Sequence, residues 1–263
     1  MAILQLILLL PFALLGQLII GNALLDQIAQ KKALQISDAT AFSLICVAIA
    51  MFLFHRFIRI SLDETTNDLR WNTRAAFKVS LITLLVLFAS FIGVHLIVPL
   101  GFEFDLRFDR LFGYFSIAAF VAVSEEIIFR SVLQKSISER YGFSIALLVS
   151  SILFGAIHIF NPNGTALTTL FIAIGPGVFL GTMYERHGGL FSSVAAHGVW
   201  NFVILSMGCT LSGLANAENS VGQQGAADWL TGGGFGIEGS VITVIVFALA
   251  TAFLRNDPTK LRS

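Results

Sequence analysis

The feature that most restricts the fold is the recurrence of apolar runs long enough to cross a bilayer. A spanning helix needs about 20 mostly apolar residues, because 1.5 Å of rise per residue must cover a hydrocarbon core about 30 Å thick. Such runs lie near 2–21, 39–58, 79–100, 111–134, 143–160, 166–184, 190–207 and 239–254, the last of them short. Backbone in lipid must satisfy its own hydrogen bonds, which makes runs of this length helices. The sequence therefore predicts an all-α polytopic membrane protein, with about eight transmembrane helices in a single bundle. Composition agrees: 56% of residues are hydrophobic and 12% charged, where a soluble domain carries about 25% charged.

Three regions follow from this pattern. Residues 1–105 hold helices 1–3, residues 106–210 a core of helices 4–7, and residues 211–263 an outward loop, the last helix and a tail. The first run, "ILQLILLLPFALLG", has no basic residues before it and no clear small-x-small cleavage site after it, so a retained helix is expected rather than a signal peptide. The two cysteines, Cys46 and Cys209, indicate no disulfide framework. The longest loop, about 208–238, is rich in Gly, Ala, Asn and Gln and is expected to be flexible.

Charge gives an orientation. With eight crossings, 12 of the 16 Lys and Arg residues fall on the side shared by the two termini, and 4 on the other. The positive-inside bias then puts both termini in the cytoplasm and the 208–238 loop outside. The expected surroundings are a lipid bilayer, with no nucleic-acid partner.

Against this apolar background, "VAVSEEIIFRSVLQ" places Glu125, Glu126 and Arg130 inside the fourth run. A charge at membrane depth costs about 2.5–3.5 kcal/mol on insertion scales, and such residues mark function by default. Successive helical residues point about 100° apart, so Glu125 and Glu126 face different ways. Glu126 and Arg130, at i and i+4, can meet on one helix face, which leaves Glu125 to face something else. The plain alternative is that all three mark a helix end at the cytoplasmic surface.

Two further stretches favour a site. "FGAIHIF" carries Phe154 and His158 in the fifth run, and "AAHGVWN" carries His197 and Asn201 at i and i+4 in the seventh. His55, His95 and His187 suit structural roles at segment ends or alone. If the fourth helix runs on to a turn at Tyr141–Gly142, Glu125 and His158 lie at matching distances from it, on the order of 25 Å. His197 lies about 10 Å into its own helix from the cytoplasmic end. A common site in the cytoplasmic half of the membrane is the expectation.

These stretches, "EEIIFR", "FGAIH" and "HGVWN", resemble the EExxxR, FxxxH and HxxxN motifs of the CPBP family, which comprises type II CAAX prenyl endopeptidases and bacteriocin-processing, abortive-infection-type membrane proteins. The resemblance covers about 110–210 and implies a multi-helix intramembrane endopeptidase acting on membrane-associated peptides or lipidated, CAAX-type proteins. It suits a bacterial inner or plasma membrane, where peptide processing or bacteriocin immunity would be natural roles.

Hydrolysis of a peptide bond needs an activated water, donors for the oxyanion and a proton for the leaving amine. Glu125 suits a general base, His158 a partner that orients the water, and His197 with Asn201 the oxyanion donors. By analogy with the family, Glu126 and Arg130 form a supporting pair, and Phe154 belongs to the supporting motif. Glu125, His158 and His197 would also make a two-His, one-carboxylate Zn2+ site. No HExxH helix is present, and Asn201 and Arg130 have no natural task beside a dication. Similarity to the family's glutamate-type mechanism favours chemistry without a cofactor. Two non-enzymatic readings stand beside these. A proton-relaying transporter would be expected to show repeat symmetry or paired broken helices, of which only Gly175–Pro176–Gly177, read as a kink, is a trace. A scaffold or immunity protein would be free to lose the site residues, all of which are present.

Overall fold

A computed structural model describes residues 2–29, 36–62, 64, 66–98, 108–213 and 227–256. Six helices are long and apolar enough to cross a membrane, and Leu190–Ser206 and Val241–Arg255 are shorter apolar helices. Together they match the eight runs, and the described residues form no strand. The protein is an all-α integral membrane protein.

Helix α1 spans Ala2–Ala29, α2 Asp38–Ser61 and α3 Thr73–Ile97. The third begins six residues before the apolar run does, because Asn72 caps it, its Oδ1 accepting from Ala75 N at 2.9 Å. An N-cap supplies an acceptor that the first turn lacks, so polar Thr73 and Arg74 are drawn into the helix. The fourth span is α4, Phe108–Glu126, which passes through a π-helical stretch, Ile127–Gln134, into α5, Lys135–Tyr141. It ends at Gly142, whose φ of +83° is open to glycine at little cost, and α6, Phe143–Ile157, returns. Arg130 and Phe154, each twelve residues from Gly142, meet across this hairpin with the guanidinium 4.8 Å from the ring centroid. The hairpin therefore pairs residues equally distant from the turn at this level.

The sixth span is α7, Ala166–Ile172, then a π stretch, Ala173–Gly177, containing Pro176, then α8, Val178–Arg186. The ring of Pro176 donates no hydrogen bond and clashes with the preceding turn, which widens the helix at the expected kink. Gly155 lets α6 approach this span closely, since a Cβ there would lie 2.5 Å from the Thr169 carbonyl oxygen. Helix α9 is Leu190–Ser206, α10 the single turn Asp228–Thr231, and α11 Val241–Asn256.

The two interrupted spans are the most enclosed, with 56% of the fourth and 61% of the sixth span's most apolar stretch buried. Helix α4 packs against α2 and α9, and α9 against α3. Outward faces carry Ile7, Leu18, Phe77, Leu85, Leu249 and Phe253, all exposed, as lipid contact requires. One expectation needs correcting. The 208–238 stretch is not a uniformly flexible loop: Cys209–Leu211 and Thr231–Ser240 are almost wholly buried, folded back into the bundle. Glycines carry this return, for Gly232, Gly233 and Gly236 all adopt positive φ. The intervening residues 214–226 lie outside the described residues.

Candidate active site

Glu126 lies at the end of α4 with its side chain wholly enclosed. Its Oε2 accepts from Arg130 Nε at 3.2 Å, and its Oε1 accepts from His197 Nδ1 at 3.0 Å. Two donors thus hold the carboxylate, one on its own helix at i+4 and one across the α4–α9 contact. Arg130 is also wholly buried, and its Nη1 donates to Ser150 Oγ at 3.3 Å. Ser150 donates to Gln134 Oε1 at 3.0 Å, and Gln134 Nε2 donates to the Gly181 carbonyl at 2.9 Å. A polar spine at i, i+4 and i+8 therefore runs along the site helix and ties it to α6 and α8. An unpaired buried charge would cost several kcal/mol, which this chain of partners offsets.

With Nδ1 committed to Glu126, the other ring nitrogen of His197 faces Glu125, its Nε2 lying 3.9 Å from Oε2. That is too long for a direct hydrogen bond. It suits two groups sharing one small molecule, since a water about 2.8 Å from both fits the span. Glu125 is the more accessible carboxylate, its side chain 16% exposed against 0% for Glu126. The adjacent glutamates hence differ as helix geometry requires: one is hydrogen-bonded into the protein, and the other, partly exposed, has its Oε2 beside the imidazole without a hydrogen-bond partner.

His158 ends α6 at its junction with a short 3-10 turn, His158–Phe160. Its Nδ1 lies 2.7 Å from the Phe154 carbonyl oxygen. A donor is needed opposite that carbonyl, so the network assigns the proton to Nδ1 and leaves Nε2 as the free lone pair. The Phe154 ring stands between the elements, 5.0 Å from the His158 ring, 6.0 Å from the His197 ring and 5.4 Å from the Phe129 ring. It spaces the histidines and covers Arg130.

Both histidines line one narrow cavity of about 20 Å³, measured as space open to the centre of a water molecule, which is enough for a water. Its walls are mainly apolar, with Phe154, Phe179, Trp200 and Phe247, and Ser212 and Glu238 also line it.

The structure thus links Glu125, Glu126, Arg130, Phe154 and His197 through successive contacts. Phe154, His158 and His197 line the cavity, whereas Glu125 lies beside His197 and is not among the lining residues. Asn201 is buried one turn beyond His197 and is not among the cavity residues. The direct bond between Glu126 and His197 was not expected, nor were Gln134, Ser150 or Glu238 as participants. Gln134 had a legible signal, the continued four-residue spacing after Glu126 and Arg130. As for zinc, no three His, Cys, Asp or Glu side chains among the described residues converge as ligands. The Nδ1 bond of His197 to Glu126 leaves Nε2 free and is neutral on this point, since a carboxylate behind a histidine accompanies metal ligation as well as metal-free catalysis.

A second buried network braces the helix just past the site. Asp68 Oδ2 accepts from Arg59 Nη1 at 2.7 Å, from Tyr184 OH at 2.6 Å and from Ser131 Oγ at 3.2 Å. His55 Nε2 lies 2.9 Å from Ser131 Oγ, which gives this histidine the structural place expected of it. Burial alone would raise the Asp68 carboxyl, but the hydrogen bond and charge of Arg59, with the Tyr184 hydroxyl, hold it below the ordinary carboxylate range. Ser131 follows Arg130 directly, so α2, the 62–72 connection and α8 all fix the π-helical stretch that carries the site.

Residues 107–203 match the family model described as type II CAAX prenyl endopeptidase Rce1-like. This agrees with the resemblance carried by the three motifs, and every site residue named from the sequence lies within the match, whereas Ser212, Glu238 and Phe247 of the cavity lie beyond it. No curated protein and no solved structure was found to match the chain. The family match supports a protease role for this membrane protein.

Proposed function

We propose that the protein is an intramembrane endopeptidase that hydrolyses peptide bonds of membrane-associated or C-terminally prenylated, CAAX-type substrates without a metal ion. The observation that carries the reading is His197 bracketed between two glutamates, one bound and one accessible, beside a cavity it shares with His158. Glu125 takes a proton from a water held between it and the imidazole groups, and the water oxygen attacks the scissile carbonyl carbon. As that C–O bond forms, negative charge collects on the carbonyl oxygen. His197, acting as the imidazolium with its Nδ1–H anchored on Glu126, presents Nε2–H to this oxyanion, and Asn201 supplies a second donor from the same helix. One such donor is worth about 3–4 kcal/mol in the transition state. Glu125 returns the proton to the amine nitrogen as the C–N bond breaks, giving a carboxylic acid and a free amine. His158, with Nδ1 fixed on the Phe154 carbonyl, orients the water through Nε2.

Arg130 and Glu126 supply no atoms to the reaction. They set the orientation and charge balance of His197, as a carboxylate does behind a catalytic imidazole. The apolar walls exclude bulk water, which strengthens each electrostatic contact inside. The test is direct: purified protein is incubated with a quenched farnesylated CAAX peptide and with unmodified membrane-spanning peptides, and products are identified by mass. Cleavage at a defined bond in either class is expected. Absence of cleavage across both classes, by folded protein in lipid bicelles, would refute the protease reading.

A further inference from the structure

The cavity lining holds a carboxylate that the mechanism does not use. Glu238 comes from the segment that folds back between α10 and α11 and is 4% exposed. Its Oε2 accepts from Ser212 N at 2.7 Å and from Ser212 Oγ at 2.6 Å, and its Oε1 accepts from Trp200 Nε1 at 2.7 Å. An ionised carboxylate has about four acceptor positions. Three are filled by neutral donors, and the open one is on Oε1, the oxygen beside Trp200. Among the described residues no ion pair includes Glu238. A buried charge is ordinarily matched by a cation, and an intramembrane carboxylate on a cavity wall marks a substrate path.

The position relative to the reacting groups is set by α9. Trp200 follows His197 by three residues, about 4.5 Å along the helix axis, and its indole then reaches outward to Glu238. An extended peptide advances about 3.3 Å per residue. A substrate bound with its scissile carbonyl at His197 would thus bring a side chain about two or three residues away to Glu238. His197 and Glu238 line the same cavity, whose apolar lining includes Ile172, Phe179, Leu180 and Phe247.

We infer that Glu238 forms a specificity subsite for a cationic group, a lysine or arginine side chain two or three residues from the cleaved bond. This rests on the protease reading for the meaning of the cleaved bond, but not for the binding itself. A cation on Oε1 completes the carboxylate's fourth acceptor position and neutralises the buried charge. A neutral or acidic side chain at that position would leave the carboxylate unmatched or repelled, so the subsite selects against both.

The experiment compares peptides that differ only by lysine, norleucine or glutamate at each position within three residues of the cleaved bond. In the wild-type protein, lysine at one position should exceed norleucine in kcat/KM by about tenfold, as a charge-assisted contact predicts. E238Q should bring that ratio to near one, whatever happens to the absolute rates. Because E238Q also alters the Trp200 and Ser212 bonds, a second measurement leaves Glu238 intact. Binding of uncleavable reduced-amide peptides to the Glu125→Gln protein should favour lysine over its norleucine twin by a similar factor, more strongly at low salt. Equal binding of the twins, or a lysine preference that E238Q leaves intact, overturns the subsite. Cleavage without lysine preference would remove the subsite and leave the protease reading standing. Lysine-selective binding lost in E238Q, with no cleavage of any peptide, would do the reverse.

Discussion

Arg130→Ala should destabilise the protein far more than Glu125→Ala, although the two residues lie little more than one turn apart. Arg130 and Glu126 are both wholly enclosed and paired at 3.2 Å. Removing one partner of a buried pair costs about 3–5 kcal/mol, because the other charge stays behind. Here Glu126 keeps its bond from His197 Nδ1, which places the loss near the lower end, about 3 kcal/mol. For a chain of this size each kcal/mol shifts Tm by about 2–4 °C, so a fall of roughly 6–12 °C is expected. Glu125 Oε2 has no hydrogen-bond partner, so its removal strands no donor. Glu125→Ala should therefore stay within about 0.5 kcal/mol of the wild type. The assay is thermal unfolding in one detergent, followed by intrinsic tryptophan fluorescence. A paired Glu126→Leu, Arg130→Leu variant should recover most of the lost stability, since replacing both ions removes the stranded charge. Equal Tm values for Arg130→Ala and Glu125→Ala would refute the reasoning, because Arg130 would then be solvated rather than enclosed.

Other expectations follow from the same geometry. His158→Ala should abolish hydrolysis, whereas Asn201→Ala should leave measurable activity, because His197 remains as an oxyanion donor; equal loss in both, measured as initial rates, would contradict this assignment. The carboxyl of Asp68 is held below its ordinary value, so it adds stability that is fully present above the unfolded value near 3.9 and is lost as pH falls through the folded value. Tm measured from pH 7 to pH 3 should accordingly drop more steeply below about pH 4 in the wild type than in Asp68→Asn, which should already be less stable at pH 7. Activity should survive dialysis against a strong chelator; loss on chelation with recovery on adding Zn2+ would overturn the metal-free chemistry.

Much of the fold was legible because lipid allows few solutions: an apolar run of sufficient length has to be a helix. The Gly142 turn and the Glu126–Arg130 pair were legible too, since both depend on local spacing. The bond from His197 to Glu126 was not, because it depends on how α4 packs on α9, and i, i+4 spacing identifies only partners on one helix. The same limit hid Glu238. Its stretch reads as a polar, glycine-rich loop, and only the positive-φ turns at Gly232, Gly233 and Gly236 carry it back under Trp200. Asp68 was hidden likewise, for its donors come from residues 59, 131 and 184, distant in sequence. Residues that serve through local periodicity were visible, and those that serve through tertiary contact were not.

The central claim is that Glu125 activates a water for peptide hydrolysis. Cleavage of a single membrane peptide in water enriched in ¹⁸O, by wild-type and Glu125→Gln protein of matched Tm, tests it most directly. The account predicts one heavy oxygen in the new carboxyl terminus with the wild type, and no product above background with Glu125→Gln. Wild-type rates from the Glu125→Gln protein, or a product carrying no heavy oxygen, would contradict it.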